Sequence, residues 1–182
     1  TFIALFIGIC ASFGLLAIRT NPLKETEINK ERSEESLITT NKELVDVETG
    51  IKPLIVEEPS QDEILFLLKA WLAGKASILS GGQAGDLLTV AREPLVQRVQ
   101  LERKKDAERK EFQKIQATIN SLRLISQTTK RIEVRARINY SDQRLNSSGE
   151  VISETTIPSL KVRYVLGREK NLWQLVDYIS GI

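Results

Sequence analysis

Hydrophobic and polar positions divide the chain into three parts with different patterns. Residues 1–18 carry no charge and no proline, and Arg19 follows at once. Because a helix rises about 1.5 Å per residue, this run is as long as a bilayer's hydrocarbon core is thick. We therefore predict a transmembrane helix over 1–19. A cleaved signal peptide is the alternative, although neither its charged start nor its small-residue cleavage site is visible.

Small residues lie along one side of the predicted span. Such residues let a second helix approach closely in lipid, so we predict intramembrane packing at Gly8, Ala11 and Ser12; a passive anchor is the alternative. Basic residues follow the span at Arg19 and Lys24, with more up to Arg32. The positive-inside rule then places the rest of the chain on the cytoplasmic or stromal side.

Residues 20–59 read as an acidic flexible linker. Residues 22–59 hold five basic and ten acidic side chains, whereas 60–182 hold twenty basic and fourteen acidic. A segment this polar cannot bury a core of its own. Its apolar island, 54–56, is expected to pack on the domain that follows; docking to a partner is the alternative.

A helical pattern begins after the linker. Ser60 and Glu63 have the spacing of a capping box before a stripe of apolar residues that Gly81 and Gly82 terminate. Two further helices are predicted, over Asp86–Val90 and from Pro94 to about Ala117.

The period then changes from 3.6 to 2. Apolar side chains alternate with polar ones most clearly from Ile132 to Tyr140. The predicted strands are Leu122–Ile125, Ile132–Tyr140, Leu160–Leu166 and Leu172–Ile179, with loops over 141–150 and 167–171. Helices followed by a meander predict an α+β fold, with helices packed on one face of a curved antiparallel sheet, as one soluble interaction domain over 60–182.

Composition removes most catalytic chemistry. The chain has no histidine, and its one cysteine, Cys10, lies in the predicted span. Ser-His-Asp and Cys-His catalysis are therefore excluded, as are an internal disulfide and a cysteine metal site. The glycines at 81, 82 and 85 lack the lysine of a phosphate loop. We predict no enzyme, no metal and no cofactor, and place Trp71 and Trp173 in the core.

Five short motifs occur in an order typical of a known family: Trp71-Leu72-x-x-Lys75-Ala76, Glu93-Pro94-Leu95, Ala136-x-Ile138-x-Tyr140, Val162-Arg163-Tyr164-Val165 and Trp173-x-Leu175-Val176-Asp177-Tyr178. Together they make residues 61–182 resemble the C-terminal intermembrane-space domain of the chloroplast division proteins and their cyanobacterial homologues. The resemblance implies a non-catalytic α+β module with a groove for a partner's peptide tail. The division proteins carry a large J-like region before their span; here the span comes at the visible start.

Two basic sets are candidate binding surfaces. The third predicted helix is either a solvated face or a dock for an acidic partner or anionic lipid, through Arg98, Arg103, Lys104, Lys105, Arg109 and Lys110. Alternation puts a second set on the wet side of the sheet, where guanidinium groups bind a peptide carboxylate or form cross-strand ion pairs, namely Arg123, Arg135, Arg137 and Arg163. Nucleic acid is not predicted, since aromatic interleaving and a known motif are both missing.

These features predict a membrane-anchored, non-catalytic adaptor of a thylakoid assembly such as a photosystem or antenna. Its span would pack against other membrane subunits, with the domain on the stromal or cytoplasmic side. One alternative is a plastid or cyanobacterial division scaffold that binds a partner's peptide tail, at the plastid inner envelope. Another is a chaperone-like assembly factor.

Overall fold

The computed structural model describes residues 51–83 and 85–181, so the predicted span and most of the predicted linker lie outside it. Helix α1 covers Gln61–Leu79, a short 3₁₀ helix covers Leu87–Thr89 and helix α2 covers Glu93–Glu108. The strands are β1 Glu111–Gln127, β2 Arg131–Asn146, β3 Val151–Glu169 and β4 Leu172–Ser180. None of the helices within these ranges is long and apolar enough to cross a membrane.

The four strands form one antiparallel sheet in the order β1-β2-β3-β4. Its inner face carries buried alternate residues such as Ile132, Val134 and Tyr164, which join the apolar sides of both helices in a single core. Register shifts interrupt all three strand pairs, and bulges of this kind bend strands. The α+β class and the antiparallel meander predicted from the sequence are confirmed.

Helix α1 begins where the capping-box spacing predicts. The Ser60 Oγ accepts a hydrogen bond from the Glu63 backbone N–H at 3.3 Å, and the Glu63 carboxylate accepts one from the Ser60 N–H at 2.8 Å. The Ser60 N–H and the Ser60 hydroxyl, which also donates to the Glu63 carboxylate at 2.8 Å, lower the pKa of Glu63. The helix ends before Gly81, whose φ of +90° suits glycine.

The prediction of a third helix reaching Ala117 is wrong. Helix α2 stops at Glu108, Arg109 caps it, and Lys110 turns the chain with a φ of +59°. From Glu111 onward the chain is strand β1, paired with β2 along nearly its full length. The sequence does not show where the helical pattern changes to the strand pattern, because the residues around this point are mostly charged and the first buried position of the strand is the polar Gln113.

The predicted loops are also too long. Strand β2 continues to Asn146 and β3 starts at Val151, so the turn covers only 147–150. Strand β3 likewise runs through most of the predicted loop at 167–171, and the turn lies at Lys170 and Asn171, whose φ values are +48° and +66°. Two successive positive φ values are typical of a tight hairpin turn whose twist matches the strands.

The predicted 54–56 island packs on the domain in part. Leu54 is buried and pairs with Trp173, whose indole N–H donates to the Val56 carbonyl at 2.9 Å. Ile55 is 63% exposed. Trp173 therefore ties the segment before α1 to strand β4, as well as filling the core as predicted.

Candidate functional site

A groove lies between helix α1 and the inner face of the sheet, with a volume of about 250 Å³. Helix α1 supplies one wall, and strands β1 to β4 supply the floor and the opposite wall. We call this the concave groove; its lining comprises Trp71, Leu72, Lys75, Ala117, Ile138, Tyr140, Ile157, Leu160, Val162, Tyr164, Tyr178 and Ser180.

Three aromatic rings line the concave groove, Trp71 from helix α1 and Tyr164 and Tyr178 from the sheet. The Trp71 and Tyr178 ring centroids are 6.2 Å apart, and so are those of Tyr164 and Tyr178. The Lys75 Nζ lies 5.7 Å from the Tyr178 ring centroid, within cation–π range. The groove thus combines an apolar lining with one ammonium group. This combination suits an apolar peptide that carries a carboxylate.

Two tyrosines of the groove lining, Tyr140 and Tyr164, and the nearby Asp142, two residues after Tyr140 on β2, have shifted pKa values. Burial, followed by the neighbouring Asp142 carboxylate, raises the pKa of Tyr140, and burial raises the pKa of Tyr164. Both phenols are therefore neutral hydroxyls at physiological pH. Burial also raises the pKa of Asp142, against the opposing effect of Arg144. The Asp142 Oδ1 is buried, and no hydrogen-bond donor among the described residues reaches it.

The predicted sheet arginines lie on the opposite face of the sheet from the concave groove. Arg135 and Arg137 alternate with the buried Val134 and Ala136 and point outward. Strand register then places Arg123, Arg135 and Arg163 side by side across three strands, and Arg137 opposite Lys161. We call this set, Arg123, Arg135, Arg137, Lys161 and Arg163, the arginine face.

One member of the arginine face is ion-paired. The Arg163 Nε lies 3.3 Å from the Glu133 carboxylate, which also contacts Arg131 at 2.9 Å. This is the cross-strand pairing that the sequence offered as one alternative. A depression of about 460 Å³ lies beside the other members and is lined in part by Ser121.

The predicted basic set is divided between helix α2 and the turn that follows it. Arg98, Lys104 and Lys105 are exposed on α2. In contrast, the Arg103 side chain donates to the Glu111 carbonyl at 2.7 Å and so holds the α2–β1 turn. Arg109 and Lys110 lie past the helix, in its cap and in that turn. The other predicted packing set, Gly8, Ala11 and Ser12, is outside the described residues.

Sequence reasoning assigned the groove residues to the core or to a motif and did not assemble them into a site. Trp71 is buried as predicted, yet it also lines the groove beside Lys75. The usable signal was the motif Trp71-Leu72-x-x-Lys75, which puts an aromatic ring and a lysine four residues apart on one helix face.

Comparison with protein families identifies the domain. A family described as "ARC6-like, IMS domain" matches residues 66–176, more than half of the chain. The chain belongs to this family. The resemblance carried by the five ordered motifs is thereby confirmed. A search of curated protein sequences finds no match to this chain.

Solved structures add a likeness of fold. The crystal structure of the intermembrane space region of chloroplast protein ARC6 has a TM-score of 0.52 at 11% identity, covering 67% of this chain and 96% of that one. The structure of Aln2 from a Streptomyces species has a TM-score of 0.42 at 13% identity, covering 68% and 92%. At these identities the likeness to the ARC6 region concerns the fold alone.

Proposed function

We propose that this chain is a non-catalytic scaffold of the division type, which holds a partner's peptide tail in the concave groove. Membership of the ARC6-like IMS family supports this function, which the sequence offered as an alternative, over the photosystem adaptor that was its main prediction. The comparisons lend no support to a thylakoid, photosystem or antenna role. The corresponding location is the plastid envelope or the equivalent cyanobacterial membrane, with the predicted span at 1–19 as the anchor.

The observation that carries the proposal is the apolar lining of the concave groove, in which Lys75 lies over the Tyr178 ring. Trp71 and Tyr164 are only 1% and 2% exposed, so the contact surface for a tail is the half-buried Tyr178 ring and the aliphatic side chains around it, such as Leu160. The Lys75 Nζ provides a countercharge for a carboxylate of the tail.

A groove-filling substitution tests the binding site. Leu160→Trp places an indole in the groove, whereas Ile152→Trp on the same strand adds an indole at a position that is 53% exposed. We expect tail peptides of membrane-anchored division proteins to bind the wild-type chain and the Ile152→Trp control, and Leu160→Trp to lose binding by at least about tenfold. Equal binding by all three chains would remove the groove from the proposal.

Co-purification tests the cellular role separately. In mild detergent, a division scaffold is recovered with division-ring components, and recovery depends on an open groove. Stoichiometric recovery with photosystem complexes, unchanged in Leu160→Trp, would overturn the proposed function in favour of the adaptor.

A further inference from the structure

On the arginine face, basic side chains lie directly opposite one another on neighbouring strands. Register places Arg123 opposite Arg135, Arg135 opposite Arg163, and Arg137 opposite Lys161. Side chains directly opposite on neighbouring strands are about 5 Å apart at Cβ, and like charges there destabilise a sheet. Three such pairs in one patch therefore lower stability unless an anion occupies the face.

In the part of the chain that the structure describes, neighbouring acids are too few to neutralise this face. The Glu133 carboxylate is shared by Arg131 and Arg163. The Asp177 Oδ1 accepts the Tyr178 backbone N–H. Within residues 51–83 and 85–181, four members of the face have no carboxylate within ion-pair distance: Arg123, Arg135, Arg137 and Lys161.

Apolar side chains border the same patch. Ile179 is directly opposite Arg163 and is 44% exposed, and Ile125 is 47% exposed in the β1 bulge two residues after Arg123. Guanidinium groups bind phosphate in bidentate fashion, and apolar side chains beside them can enter the interfacial region of a bilayer. Cations bordered by isoleucines are complementary to the boundary between headgroup phosphates and acyl chains in a membrane. They are less complementary to a purely acidic polypeptide, which offers no apolar groups to the isoleucines.

We propose that the arginine face docks the domain on the headgroup phosphates of an anionic membrane, while the concave groove on the opposite side of the sheet stays open. The predicted span at 1–19 would supply the proximity, because a flexible linker of about 30 residues, as the sequence predicts before the domain, has an end-to-end distance of roughly 30 Å. This docking fixes which side of the domain faces away from the bilayer, and it is independent of what the groove binds.

The test uses the full chain in nanodiscs, labelled on the outer face of the sheet. Cys10→Ser with Ser126→Cys gives one labelling site, since Cys10 is the chain's only cysteine and Ser126 is exposed opposite Glu133. A spin-labelled headgroup lipid quenches the fluorophore when the face touches the bilayer. We expect strong quenching with about 30 mol% phosphatidylglycerol, weak quenching in phosphatidylcholine alone, and loss of the difference at high salt.

Two triple variants with the same change in net charge separate the face from overall charge. The sheet triple is Arg123→Gln, Arg135→Gln and Arg137→Gln; the helix triple is Arg98→Gln, Lys104→Gln and Lys105→Gln. Each basic residue near an anionic surface contributes about fivefold in binding, so the sheet triple should lower the docked-to-undocked ratio by about a hundredfold. The helix triple should leave quenching unchanged.

Several outcomes would overturn the proposal. Equal quenching in neutral and anionic discs, or equal loss in both triples, would show that the arginine face does not dock there. Sheet-dependent binding of a polyglutamate peptide in neutral discs, without any effect of anionic lipid, would assign the face to an acidic polypeptide. Unfolding midpoints followed by tryptophan fluorescence check that each variant folds; should the sheet triple unfold, the single Lys161→Glu must reduce quenching for the proposal to stand.

Discussion

Removing Arg144 should expose how far the fold depends on one buried charge. Asp106 at the end of α2 is 2% exposed, and its carboxylate lies 3.4 Å from the Arg144 Nη1 of strand β2. The Gln113 side chain donates to the other carboxylate oxygen at 2.8 Å. Arg144 also contacts the Glu111 carboxylate at 3.3 Å. Arg144→Met keeps the apolar stem and leaves both carboxylates without this partner.

The expected cost follows from leaving a buried charge unpaired. Breaking a buried ion pair by removing one partner costs about 3–5 kcal/mol. Because the Arg144 side chain is 29% exposed, water can partly replace it, and we expect the lower end, about 3 kcal/mol. With a urea m-value of about 2 kcal/mol/M, the unfolding midpoint falls by about 1.5 M.

Intrinsic fluorescence measures this change in the full chain. Both tryptophans, Trp71 and Trp173, are buried in the domain, so urea unfolding changes their emission. Arg98→Met on helix α2 is the matched control, since its exposed side chain should matter by less than about 0.5 kcal/mol. Asp106→Asn added to Arg144→Met should recover at least about 1 kcal/mol. A loss below about 1 kcal/mol, or no recovery in the double variant, would refute the unpaired-charge argument.

Three further substitutions test other parts of the fold. Burial raises the pKa of Asp142 in the folded state, so the ionisation of this carboxyl lowers the stability of the fold as pH rises through that pKa. Asp142→Asn should therefore have a higher urea midpoint than wild type at pH 7. The gain should vanish below the ordinary aspartate pKa of about 3.9. Ser60→Ala removes the capping box and should cost about 1 kcal/mol in thermal unfolding, whereas Ser60→Asp should cost little. A Cβ at Gly167 would lie 2.7 Å from the Val176 Cγ2; Gly167→Ala should therefore cost about 1–3 kcal/mol, and a smaller loss in Gly167→Ala with Val176→Ala would confirm that this contact is the cause.

Local patterns in the sequence were enough to predict the parts of the fold that depend on near neighbours. The capping box at Ser60 and Glu63 sets the start of α1 through bonds three residues apart. Alternation from Ile132 to Ile138 predicted the buried side of β2, because successive side chains of a strand point to opposite faces and a half-buried strand therefore alternates apolar and polar residues. The same alternation put the arginines on the outward face.

Tertiary contacts decided the rest. The run that ends α2 and begins β1 has the charges of a solvated helix, yet pairing with β2 and the buried Gln113–Asp106 bond make it a strand. The concave groove brings Lys75 of α1 over Tyr178 of β4, residues about a hundred positions apart. No short segment of the sequence predicts the contact between Lys75 and Tyr178, because it forms only when strand order and register place distant side chains on one side of the sheet.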